Sequence, residues 1–175
     1  LDGILPEPPA SSDYLVFLTD SSSAFQCSTC PEQPILAIDA LQQAVLRLYG
    51  PGAGGQVNPS HMSSYSFADL SNLLAGNGIE GMDSALRRAN WIIVSMTDAS
   101  ASQPQLVHQF LAERQGLLRA KKTILFSFGA PYYFDSTDVA KLTAYFALYS
   151  KSPAFVDVAA RVLYHELPPQ GYSPV

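Results

Sequence analysis

The sequence predicts an α/β domain, a three-layer sandwich with a mostly parallel sheet covered by helices on both faces. Three observations predict it. Short, nearly continuous apolar runs, "DYLVFLTD" (13–20), "WIIVSMTD" (91–98) and "TILFSF" (123–128), alternate with longer stretches of helical spacing. The runs lack the strict alternation of a half-solvated strand, so both of their faces should be covered, as in parallel sheets. Two of them end alike, in Thr-Asp before a serine-rich loop, which suits strands that leave the sheet at one common edge.

In chain order, residues 1–12, "LDGILPEPPASS", read as a linker rich in Pro, Ser and acid. Residues 13–175 then form one α/β domain, a length that suits a single core. After the first strand comes a polar loop holding both cysteines. Ile38, Leu41, Val45 and Leu48 recur at helical spacing and predict a helix over about 35–49, stopped by "GPGAGG". "HMSSYSF" reads as a weaker strand. Ser66 caps a short helix ending at Gly76, and Asp83 starts another, "DSALRRAN". After the strand at 91–98, Pro104 is expected at the first helical position, with Leu106, Phe110, Leu111, Leu117 and Leu118 on the apolar face. "TAYFALYS" (143–150) is a fourth strand. Pro153 opens a last helix whose buried side carries Phe155, Val158, Ala159, Val162 and Leu163.

Composition narrows the function. The chain is 47% hydrophobic, ample for a core, and only 14% charged, well below an ordinary globular domain. A surface so sparse in charge suits a domain partly covered by a neighbour. A net charge of −5 argues against nucleic acid, which needs a basic footprint. No stretch is long and apolar enough to span a bilayer. The opening residues lack the basic start and apolar run of a signal peptide. Cys27 and Cys30, in "QCSTCP", leave three readings open: a structural disulfide or inert thiols, a redox pair, or half a metal site. The pair precedes Pro31 and Pro34 in a loop instead of opening a helix after a strand, and no second pair completes a zinc site. A disulfide would place the chain in an exported, extracellular or cell-envelope setting.

Parallel strands would gather Asp20, Asp98 and the lip "FGAPYYFD" with Tyr132 and Tyr133 on one rim, where open α/β sheets bind ligands. These four residues are the candidate substrate-binding or domain-interface residues. Each also has a plain reading: aspartates after strands make Asx-turns or cap the next helix, and tyrosines pack under loops.

Other motifs fail on context. Gly50, Gly52 and Gly55 match a dinucleotide spacing but follow a helix, not a strand. No Walker lysine and no G-x-S-x-G elbow occur, and His61, His108 and His165 lack ligand spacing. Each histidine reads as structural. No cofactor, no metal and no catalytic residue are assigned.

The last third of the chain, "TILFSFGAPYYF" followed by "AKLTAYFALYSKSPAFVDVAARVLYHELPPQGYSPV", resembles the carboxyl-terminal α/β domain of glycoside hydrolase family 3. The closing pattern is carried by Glu166, Pro169, Gly171, Pro174 and Val175, with His165 and Ser173 departing from it. The resemblance implies an accessory domain in a retaining glycosidase of β-N-acetylhexosaminidase or β-glucosidase type, and the Pro-Tyr lip and compact size resemble the β-N-acetylhexosaminidase branch more. Its partner would be an amino-terminal (β/α)8 barrel of the same polypeptide and its substrate a carbohydrate. The barrel would hold the nucleophile, so this chain alone would not hydrolyse sugars. No residue matches the β-glucosidase glutamate; Glu80 and Glu113 are both helix-associated. Two rival expectations are a stand-alone carbohydrate- or ligand-binding module using Asp20, Asp98, Tyr132 and Tyr133, and a small redox enzyme using Cys27 and Cys30.

Overall fold

The computed structural model of the chain describes residues 6–25, 27–97 and 102–169. Five strands form one parallel sheet: β1 (Leu15–Thr19), β4 (Met62–Ser66), β5 (Trp91–Met96), β6 (Lys122–Ser127) and β7 (Ala144–Ala147). A separate two-stranded hairpin, β2 (Ser23–Phe25) with β3 (Glu32–Pro34), sits in the connection after β1. The helices are α1 (Ala40–Tyr49), α2 (Phe67–Leu74), α3 (Met82–Arg88), α4 (Ser102–Glu113), α5 (Gln115–Leu118), α6 (Ser136–Val139) and α7 (Pro153–Leu163).

The sheet order is β4-β1-β5-β6-β7. Counting the sheet's own strands in chain order, this is 2-1-3-4-5, the flavodoxin-like doubly wound order shared by CheY. The three central strands are buried on both faces, which accounts for their continuous apolar character. Alternate residues serve opposite layers. Leu15, Phe17, Trp91, Ile93, Ile124 and Phe126 pack against α1 and α7, through side chains such as Leu41, Val45, Ala159 and Leu163. Val16, Leu18, Ile92, Val94 and Leu125 meet Phe67 and Leu70 of α2, Met82 and Leu86 of α3, and Phe110 and Leu111 of α4. Burying each such side chain contributes about 1.5–3 kcal/mol, so the two layers carry most of the fold's stability.

Local chemistry sets the element ends. Ser66 accepts the Asp69 N–H at 3.1 Å while the Asp69 carboxylate accepts the Ser66 N–H at 2.8 Å, a reciprocal cap that starts α2 directly from β4. After α2 the chain turns through Gly76 at φ +82°, a left-handed conformation that glycine adopts without strain.

Three expectations need correction. The first helix begins at Ala40, not near residue 35, because residues 32–34 are held in β3 and the Ile35 N–H bonds to the Ser22 carbonyl at 2.9 Å. Pro104 is the third residue of α4, not the first; in the first turn its missing N–H still costs no intrahelical bond. The apolar stretch through Leu118 is two helices, broken at Arg114 with φ −107°. Ahead of β1, Pro9 is buried, the Ala10 N–H donates to the Asp13 carboxylate at 3.0 Å and the Asp13 N–H donates to the Ala10 carbonyl at 2.9 Å.

Candidate functional site

In a sheet of this order, the crevice for ligands opens where the winding reverses, between β1 and β5. Here a side chain of the protein occupies it. Asp20 follows β1 and is completely buried. Its N–H donates to the Ser95 carbonyl at 2.8 Å, prolonging the β1–β5 ladder by one rung. One carboxylate oxygen accepts the Thr97 N–H at 3.0 Å and the Thr97 hydroxyl. The other accepts the Ser22 N–H at 3.1 Å and the Ser22 hydroxyl. Four donors match the roughly four acceptor sites of an ionised carboxylate, so Asp20 is saturated by its own chain. Gln103, in the first turn of α4, adds an N–H bond to the Ser22 hydroxyl at 3.1 Å. Asp20 therefore ties together the exits of β1 and β5 and the start of α4. Asp98, its expected companion, lies outside the described residues.

Immediately beyond Ser22 stands the β2–β3 hairpin. All six of its strand residues are exposed. Cys27 and Cys30 form a disulfide across its turn.

The tyrosine lip leaves β6 on the same rim. Tyr132 is 61% and Tyr133 43% exposed, joined by Tyr149 at 58% just past β7. Beneath them, Tyr145 of β7 meets Phe134 edge-on, with ring centroids 5.7 Å apart. Burial pushes the Tyr145 phenol up to about 12; the neighbouring Ser127 hydroxyl opposes the shift and the nearby Tyr149 and Tyr133 add to it. Ser127 stops short of hydrogen-bond geometry with that phenol and is 3.2 Å from the Ala130 carbonyl instead.

The lip leads directly into α6. Asp135 caps it, accepting the Asp138 N–H at 2.9 Å. The Asp138 carboxylate is buried and pairs with His108 Nδ1 of α4 at 2.8 Å and Lys141 Nζ at 3.2 Å. Burial alone pushes this carboxyl up, but the hydrogen bonds and charges of His108 and Lys141 outweigh it, and the net shift is downward. This triad was not legible in the sequence, because His108 and Asp138 lie 30 positions apart on different helices. Nor was the role of Thr97 and Ser22, although the repeated "TD" and the serines after it were the available signal.

At the opposite end of the sheet, Tyr49 closes α1. It stacks on Tyr164 with centroids 4.0 Å apart and donates its hydroxyl to Glu166 at 2.6 Å. Burial first, and then the hydrogen bond to Glu166 and its charge, disfavour ionising Tyr49, so its phenol is shifted upward, with Arg161 opposing weakly. Among the described residues, no group of three or more His, Cys, Asp or Glu side chains is placed to hold a metal ion, and no helix is long and apolar enough to cross a membrane.

No family model and no curated protein matches the chain. Solved structures do. A putative pilus assembly-related protein from Burkholderia pseudomallei is 10% identical, with 92% of this chain and 96% of that one covered and a TM-score of 0.39. A BeF3-activated receiver domain of DrrB is 9% identical, covering 87% and 98%, with a TM-score of 0.36. A CheY-like protein, TadZ, from Pseudomonas aeruginosa is 18% identical, covering 90% and 98%, with a TM-score of 0.35.

These neighbours correct the family resemblance. They are receiver-type and pilus-assembly-related domains, not carboxyl-terminal domains of glycoside hydrolase family 3. The short closing motif that suggested that family falls mostly at residues 170–175, outside the described ones, and the lip alone is a generic strand exit. The readings built on it are withdrawn with it: the glycosidase accessory role, the barrel partner and the carbohydrate substrate. The rival sugar-binding and redox-enzyme readings gain no support.

Proposed function

We propose that this chain is a protein-docking domain of receiver-type topology, working through the rim at the carboxyl ends of its strands. The distribution of exposed apolar side chains carries the reading. Eight large ones are exposed among the described residues: Phe25, Ile38, Ile79, Tyr132, Tyr133, Val139, Tyr149 and Leu167. Six of them lie in the connections that leave β1, β6 and β7, and only Ile79 and Leu167 lie elsewhere. Tyrosines offer large, stiff, amphipathic contact area and are enriched where proteins meet. The saturated Asp20 favours the same reading, since the crevice of the fold is spanned by side chains that brace it. The expected partner is another protein, and the surface is argued from this chain's own residues.

The test is site-specific photo-crosslinking in the native host, with a benzoylphenylalanine at position 132 or 149 and, as controls, at 79 or 167. The reading expects one protein crosslinked from the rim positions only. Purified, that protein should bind the wild-type chain and lose about tenfold or more in affinity for the triple variant Tyr132→Ser, Tyr133→Ser, Tyr149→Ser. Equal crosslinking from all four positions, or undiminished binding by the triple variant, overturns it.

A further inference from the structure

The β2–β3 hairpin is built unlike the rest of the molecule. Its two strands have three residues each, all exposed, and none belongs to either core layer. A two-stranded hairpin without a packed face is marginal in water. Besides its own ladder, two contacts among the described residues brace this one. At its base the Ile35 N–H bonds to the Ser22 carbonyl at 2.9 Å. At its turn the Cys27–Cys30 disulfide closes the loop, backed by a Cys30 N–H bond to the Cys27 carbonyl at 3.2 Å. Cys27 is exposed and Cys30 half-buried, so a dissolved thiol can reach the bond. The base residue, Ser22, is also the one whose N–H and hydroxyl fill one oxygen of the buried Asp20 carboxylate.

We propose that Cys27–Cys30 is a redox latch: its reduction by an external dithiol frees the hairpin and, through Ser22, loosens the Asp20–Thr97 brace, while the two-layer core stays folded. The chemistry is ordinary exchange. A thiolate of the dithiol attacks one sulfur, the other leaves as a thiolate, and the second thiol of the reagent resolves the mixed disulfide. Two electrons pass to the cysteine pair, the two protons lost by the dithiol end on the two cysteine thiols, and the reagent leaves as its own disulfide. The core survives because the latch closes a loop of only a few residues that contributes no buried apolar surface. Phe25, 67% exposed on β2, is the side chain whose position the latch governs. Because Ser22 touches both the hairpin and Asp20, the state of a surface bond is read at a buried carboxylate.

Hydrogen exchange followed by mass spectrometry on the full chain tests this, oxidised and then reduced with dithiothreitol, with the double variant Cys27→Ser, Cys30→Ser as a second reduced form. Reduction should speed exchange across residues 22–35 by about twentyfold, the bias that closing so small a loop supplies. The Thr97 amide should quicken with it, and the amides of β1, β5 and β6 should not change. Unchanged exchange in 22–35 after reduction overturns the latch. Faster exchange there with Thr97 unmoved overturns the link to the brace, and loss of protection throughout the sheet overturns the claim that the core is independent. Should the double variant fail to fold, the dithiothreitol arm on the wild-type chain decides alone. None of these readouts depends on the rim's partner.

Discussion

Asp20 and Thr97 stand 77 positions apart, and the carboxylate of the first accepts both the backbone N–H and the hydroxyl of the second in a fully buried site. The two residues directly follow the neighbouring strands β1 and β5, so this contact locks the point at which the sheet reverses its winding. A buried acceptor with four satisfied donors is stabilising only as a set. Removing the acceptor strands the donors, and a stranded buried group costs about 1–3 kcal/mol.

Asp20→Ala should therefore destabilise the domain by about 3 kcal/mol or more, since four donors lose their acceptor while a small cavity opens. Thr97→Val keeps the N–H bond and removes only the hydroxyl, and should cost about 1–2 kcal/mol. Urea unfolding of both variants measures the difference. If Thr97→Val costs as much as Asp20→Ala, the carboxylate is not the hub of the brace.

The central strands could be read in advance because a strand buried on both faces must be apolar at every position, and "LVFLT" and "WIIVSM" leave no other use for those residues. Ser66 announced its helix for a similarly local reason, and the reciprocal bond from Asp69 came only with the structure. The hairpin was invisible, because "SAF" and "EQP" carry neither alternation nor a packed face, and their pairing is fixed by Ser22 and the disulfide instead. At the rim, sequence could place Asp20 after a strand but not show what it touches. Thr97 looked like part of a strand and Ser22 like part of a loop. Only the parallel register, with Thr19 opposite Ser95, brings them to one carboxylate. The family resemblance misled for a related reason. It rested on a lip and a tail, and such exits recur wherever a parallel strand must turn out of a sheet.

Three tyrosines separate a hydrogen bond from a buried hydroxyl. Tyr49 donates to Glu166, whereas the buried hydroxyls of Tyr145 and Tyr164 have no hydrogen-bond partner among the described residues. Tyr49→Phe should lose about 1 kcal/mol. Tyr145→Phe and Tyr164→Phe should be neutral or slightly stabilising, because they remove a polar group that folding strips of water without replacement. Thermal melts of the three variants test this ordering, and a loss at Tyr145→Phe comparable to that at Tyr49→Phe would show a partner for its hydroxyl.

Alkaline stability follows from the same side chains with a definite sign. Burial raises the folded pKa of Tyr145 to about 12, above the unfolded value near 10, and also raises those of Tyr49 and Tyr164. A raised phenol favours the neutral folded form, so this stability is complete below pH about 10 and declines as pH climbs from there toward the folded values. Denaturation midpoints should hold steady up to pH about 10 and then fall, less steeply in Tyr145→Phe than in wild type. Parallel curves for the two proteins would refute the assignment to Tyr145.

Acid acts on Asp138 with the opposite sign. Its folded pKa is lowered because His108 and Lys141 overcome the penalty of burial, so the unfolded chain binds a proton more readily than the folded one. The stabilisation is whole above the ordinary carboxylate value near 3.9 and drains as pH falls through the lower folded value. Asp138→Asn should consequently be clearly less stable than wild type at pH 7, with the gap narrowing once the solution is taken below about pH 3.9. The narrowing should come from His108 and from Lys141, with the share of His108 discounted because its side chain is 57% exposed against 20% for Lys141 and solvent screens the exposed partner better. Lys141→Met and His108→Ala should each reproduce part of the loss, and Lys141→Met should also loosen α6, which directly follows the Tyr132 and Tyr133 lip. Urea midpoints for the three variants at pH 7 and pH 3 supply the comparison, and a wild-type to Asp138→Asn gap that stays constant with pH would exclude the triad as the source of acid sensitivity.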